Sequence, residues 1–203
     1  MRGEFDETYL KRLMDECNDL RERTEFVTLD TEALRKTFLP TKGVSPVGYH
    51  RGYYEMIRWE KNGLSERNTI RSNCRSFLEI CRGSDGRLLQ VTSIKNGRTD
   101  CIHQGLSIGS KHFLFPFSAK GGFYPTYTYV TVTNGDRIVE EYAVEGRSIV
   151  YHSYESGLRE DAVRYYRVNY VEGGSHPILE ESKGIITLKP LEYREQFYRD
   201  WRG

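Results

Sequence analysis

The residues with most chemistry to offer in this sequence are one carboxylate and the tyrosines around it. Two-residue turns at Asn134-Gly135 and Glu145-Gly146 would fix which side chains face one another across three consecutive strands. Under that pairing one face carries the row Tyr129–Glu140–Tyr151 and the row Tyr127–Tyr142–Ile149, with Arg147 beside Val144. A wide aromatic surface holding a few polar groups suits a pocket for a small organic molecule. Glu140 is then the candidate acid or base, and the tyrosines orient the ligand. Arg147 and Arg164 are candidates to pair with a ligand carboxylate, and Tyr166 and Trp59 add aromatic wall. The other face of the same strands carries Val130–Val139–His152 and Thr128–Glu141–Val150, so the pattern leaves open which face looks inward.

Other constellations are thinner. Cys101 and His103 share a strand face, but a structural zinc site takes four ligands and usually shows close Cys or His pairs, which this chain lacks. No metal or cofactor is expected. Ser148 and His152 share a face without a nucleophile elbow to present the serine. No glycine-rich phosphate loop occurs. With 30 basic and 29 acidic residues interspersed, net charge is +1, which argues against nucleic acid and anionic membranes as partners. The register from Asp85-Gly86 and Asn96-Gly97 aligns Ile80–Val91–Ile102 on a core face and Cys81–Gln90–His103 on the other. Cys81 and Cys101 then lie about 10 Å apart, too far to bridge, so free thiols are expected.

These side chains need a scaffold, and its outline is legible. Leu10, Leu13, Met14, Cys17 and Leu20 form one apolar stripe of a helix, with Asp6 as N-cap. A second short helix is expected from Asp30 to just before Pro40. From Tyr49 the period changes to two, punctuated by Asn62-Gly63, Asp85-Gly86, Asn96-Gly97, Asn134-Gly135 and Glu145-Gly146. Expected strands are 53–61, 69–81, 87–95, 98–106, 111–117, 124–133, 136–144, 147–154, 162–171 and 184–190. The fold class is therefore all-β: an antiparallel up-and-down meander of about ten strands with an N-terminal helix. Residues 1–48 form the helical segment and connector, and 49–203 the sheet with a short C-terminal tail.

Over residues 49–190 this architecture resembles the lipocalin-like (calycin) barrels, which hold a small ligand inside a closed sheet. Where those barrels open with Gly-x-Trp, this chain has Gly48-Tyr49-His50-Arg51-Gly52-Tyr53-Tyr54, with Trp59 later in the same strand. The resemblance implies a closed barrel and a mostly apolar ligand with a polar or acidic end. It also allows lyase, isomerase or cyclase chemistry. The alternative is a protein–protein module, an inhibitor or assembly factor, with a filled core and an aromatic patch near Phe123-Tyr124-Pro125 or Phe197-Tyr198-Trp201. The acidic start of the chain and the lack of a long apolar run make a cytoplasmic location the expectation.

Overall fold

The computed structural model describes residues 6–32, 34–40, 66–84, 86–135, 137–159, 162–173 and 178–187. Within them run one helix, α1 (Glu7–Arg23), and ten strands. These are β1 (Arg35–Pro40), β2 (Phe77–Arg82), β3 (Leu88–Lys95), β4 (Arg98–Ile108) and β5 (Lys111–Phe117), followed by β6 (Thr128–Asn134), β7 (Arg137–Glu145), β8 (Ser148–Arg159), β9 (Ala162–Val171) and β10 (Ile178–Thr187). The strands lie in one sheet in the order of the sequence, each antiparallel to the next. Among the described residues the ladder does not close. β10 pairs with β9, and the outer edge of β1 carries a single bridge from Phe38 to Arg67. No helix of the described residues is long and apolar enough to cross a membrane.

α1 forms where its stripe demands it. Asp6 caps the first turn by accepting from the Tyr9 N–H at 3.0 Å, and Arg21 and Arg23 sit favourably in the last turn. Leu10, Leu13, Met14 and Cys17 are buried against one face of the sheet, among Phe113, Phe115, Phe117, Val130, Val144, Ile149 and Val168. Burying each large apolar side chain contributes about 1.5–3 kcal/mol. The chain after α1 stays on the same face: Phe26 packs on Phe117, and Gln104 holds the Val27 backbone through both its amide groups. A second apolar cluster fills the opposite face, where Leu39, Leu78, Ile80, Leu88 and Val91 join Leu114, Tyr129 and Ala143.

Four expectations change. Residues 35–40 are a strand, not the end of a short helix, because Thr37 and Leu39 alternate inward and pair with Ile80 and Leu78. The strand expected over 69–81 begins only at Phe77, and that expected over 184–190 is β10 at Ile178–Thr187. The turns at Asn134 and Glu145 place glycine first in the loop, so that Asn134 pairs with Arg137 and Glu145 with Ser148. The strand expected over 53–61, with Trp59, and the C-terminal segment with Phe197, Tyr198 and Trp201 lie outside the described residues.

Bulges then complete the change of register. One sits between Ser93 and Ile94, so Val91 faces His103 and Thr92 faces Ile102. Cys101 and His103 thereby join the face of Ile80 and Val91, while Cys81 points to the other side with Gln90. All four cysteines are free thiols, as expected, though for a different geometric reason. Gly105 shows how closely the strands approach here. A Cβ at that position would collide with the Leu88 carbonyl oxygen and come within 3.0 Å of the His112 ring. We expect Gly105→Ala to lower stability by about 1–3 kcal/mol in urea titration, the cost of forcing strands apart. A fully tolerated alanine there would contradict the packing.

Candidate functional site

The row Tyr129–Glu140–Tyr151 does not form. A bulge between Val132 and Thr133 leaves Val139 as an extra residue on β7, and Tyr129 faces Ala143 while Val132 faces Glu140. The odd shift turns β6 over relative to the expected pairing. Tyr127 and Tyr129 consequently belong to the face away from α1, where the Tyr129 ring lies 5.5 Å from that of His103. β7 and β8 are offset by two residues, which keeps their faces but makes new neighbours: Tyr142 faces Tyr151, and Glu140 faces Ser153. On β9, Tyr166 stands opposite Ser153 and Val168 opposite Tyr151.

Four of the expected site residues therefore do meet, under α1. Glu140, Tyr142, Tyr151 and Tyr166 share the helix-covered face, joined there by Ser153 and by Tyr9 from the helix. Tyr9 donates its hydroxyl to Glu140 Oε2 at 2.7 Å and sets its ring edge-on to Tyr151 at 6.0 Å. The Tyr142 hydroxyl, the Tyr151 hydroxyl and the Ser153 hydroxyl are buried and close no hydrogen bond. Tyr151 lies near enough to Glu140 and Ser153 to feel both, in a geometry that completes neither bond. Burial first, and then the nearby acidic groups including Glu140, push both phenols well above the ordinary tyrosine pKa. At neutral pH they are protonated donors. Further polar ties hold α1 over this cluster: Tyr170 donates to Glu7 at 2.8 Å, Lys111 reaches Glu16 at 2.6 Å, and Asn18 donates to the Gly146 carbonyl.

The two arginines do not join it. Arg147 is exposed in the β7–β8 turn, and Arg164 is a half-exposed partner of Glu155 at 3.5 Å. At the aromatic loop, Phe123 stacks on Phe117 with the Arg21 guanidinium over its ring, and it stays 41% exposed, as the alternative reading expects.

A second buried polar group went unseen in the sequence. On the face away from α1, His112, Thr131, Glu141, His152 and Arg167 stand directly opposite one another across five strands. Glu141 is only 1% exposed and accepts a hydrogen bond from the Tyr154 hydroxyl. The His152 ring stacks on Tyr154 at 6.2 Å, and the Ser107 hydroxyl lies 2.9 Å from His112 Nδ1. A carboxyl group so deep needs hydrogen-bond donors such as the Tyr154 hydroxyl. Only the true register could have revealed the row, and bulges leave no reliable mark in composition. Cys101 Sγ lies 3.7 Å from His103 Nδ1, and the Cys101 thiol is raised to about 12, mainly by burial. Among the described residues no group of three or more His, Cys, Asp or Glu is arranged to hold a metal ion.

No protein-family model matches the sequence, and neither the curated proteins nor the solved structures provide a match. What the chain does has to be argued from its own geometry.

Two predictions concern the buried polar groups. Tyr154→Phe removes a donor from a buried carboxylate, and we expect a loss of about 1.5–3 kcal/mol in unfolding free energy. An unchanged stability would mean that Glu141 does not depend on that hydroxyl. The second is acid sensitivity. Burial holds His103 at about 4, and burial with the Arg87 charge nearby holds His112 at about 4, against 6.5 in the unfolded chain. Below pH 6.5 the unfolded chain takes up protons that the folded sheet refuses. The stability present above pH 6.5 is therefore lost as pH falls towards about 4, by on the order of 2–3 kcal/mol per imidazole. Urea midpoints measured across that range should fall, and fall about half as far in a His103→Asn variant. A flat profile would contradict the burial.

Proposed function

We propose that this protein binds a small, mostly apolar organic molecule between α1 and the tyrosine-bearing face of β7–β9, with the molecule's polar end at Glu140. The observation that carries this reading is the set of buried hydroxyls on Tyr142, Tyr151 and Ser153 that close no hydrogen bond. Native proteins leave few such groups, and each one costs roughly 1–3 kcal/mol unless something satisfies it. Here they lie on adjacent positions of neighbouring strands, beside one carboxylate and within an apolar cluster. That composition suits ligand recognition: apolar area for affinity and convergent donors for orientation.

The roles follow from the chemistry of each group. Tyr142 and Tyr151, held protonated, donate to a carbonyl or other acceptor on the ligand. Glu140 accepts from a ligand hydroxyl. Phe113, Tyr166 and Val168 supply the apolar surround, and α1 excludes water. Lyase, isomerase or cyclase chemistry, if the ligand reacts, would use Glu140 as the proton carrier.

The test separates binding from stability. Material extracted from the freshly purified protein should contain a small molecule by mass analysis, and Tyr142→Phe should retain less of it. Once stripped, Tyr142→Phe should be more stable than the parent, by about 1 kcal/mol, because a buried unpaired hydroxyl has been removed. A destabilised Tyr142→Phe with no molecule retained by either protein would overturn the proposal.

A further inference from the structure

Tyr9 belongs to the helix, yet its ring reaches the polar cluster on the sheet. Its hydroxyl donates to Glu140 Oε2 at 2.7 Å, its ring meets Tyr151 edge-on at 6.0 Å with an interplanar angle of 87°, and the Arg12 guanidinium lies over it at 5.1 Å. A phenol therefore already sits where a carboxylate, an aromatic edge and a cation recognise it. The sheet side of that contact comprises Glu140 and Tyr151, contributed by two adjacent strands and independent of the helix, with Ser153 opposite Glu140. Beside it, the buried Tyr142 and Tyr151 hydroxyls close no hydrogen bond while the helix is in place.

We infer that the face beneath α1 recognises an aromatic hydroxyl, and that Tyr9 is a built-in competitor for the place such a ligand takes. The inference rests on the proposed ligand site and narrows it to phenolic molecules. Binding exchanges one phenol for another at Glu140, so the carboxylate never loses its donor. The released end of α1 keeps its Asp6 cap and its internal Glu7–Lys11 pair at 2.9 Å, and the chain beyond it stays anchored by Phe26 and Gln104. The ties that must yield with Tyr9 include Tyr170 to Glu7 and Lys11 to Glu172, the latter 3.4 Å long with both side chains half-exposed. Lifting the helix as far as Cys17 also breaks Lys111 to Glu16 and Asn18 to Gly146 and uncovers Leu10 and Leu13.

p-Cresol, the tyrosine side chain as a free molecule, is the probe, with toluene as its hydroxyl-free counterpart. In Tyr9→Ala, p-cresol should bind saturably and raise the melting temperature, at least tenfold more tightly than toluene. Adding Glu140→Gln should abolish that difference. Tyr9→Phe keeps the helix ring and its packing, so it guards against a misfolded alanine variant. It should bind p-cresol about tenfold more tightly than the parent, because its competitor has lost the charged hydrogen bond. Equal binding of p-cresol and toluene overturns the phenol inference while leaving an apolar ligand site standing. Should neither compound bind Tyr9→Ala, nor an anilinonaphthalene dye bind any variant, the ligand site itself falls with it.

Discussion

The seating of α1 on the sheet is the contact on which the rest depends. The helix has a narrow apolar stripe, and the face beneath it on β5–β9 is correspondingly apolar and aromatic. Neither surface is compatible with water alone. Their union buries Leu10, Leu13, Met14 and Cys17 together with the rings of three phenylalanines, and raises the Cys17 thiol to about 12 through burial. The same union carries a penalty, since it covers hydroxyls that the helix does not satisfy. Apolar attraction and unsatisfied hydroxyls thus meet at one interface.

The hairpin architecture was legible because Asn-Gly, Asp-Gly and Glu-Gly steps at regular spacing have a local cause. Positive φ at Asn96, Gly97, Gly135 and Gly146 bears this out. β5 and β9 also fall on their expected residues. Register was less legible, because it depends on single residues. Where glycine came second in the loop, as at Asn96-Gly97, Lys95 and Arg98 pair as expected. Where it came first, the pairing shifted, and the extra Val139 then reversed the facing of β6. Residues 35–40 are a strand although Pro40 looks like a helix stop; Pro40 ends the strand that is outermost among the described residues.

The site was partly legible for a similar reason. Glu140, Tyr142 and Tyr151 are on two strands whose offset changed by an even number, so their shared face survived the error. Tyr129 is on the strand that the bulge turned over, and it moved to the face with His103 and Ala143. Tyr9 was invisible as a site residue, since nothing in a helix stripe says which strand it will cover. The buried row through Glu141 and His152 was hidden by both shifts, the odd one parting Thr131 from Glu141 and the two-residue one parting Glu141 from His152. The two faces thus place consecutive glutamates in different worlds: Glu140 under the helix with Tyr9, and Glu141 on the far side with Tyr154.

Cys17 lies beneath the middle of α1, only 1% exposed, and so reports directly on whether the Tyr9–Glu140 bond holds the helix down. The decisive measurement is the rate at which a thiol reagent modifies Cys17 in protein whose other three cysteines are serine. The account predicts very slow modification in the parent, accelerated severalfold by Tyr9→Phe and equally by Glu140→Gln, with no further gain when the two changes are combined. Rapid modification in the parent, or rates unmoved by either change, would contradict it.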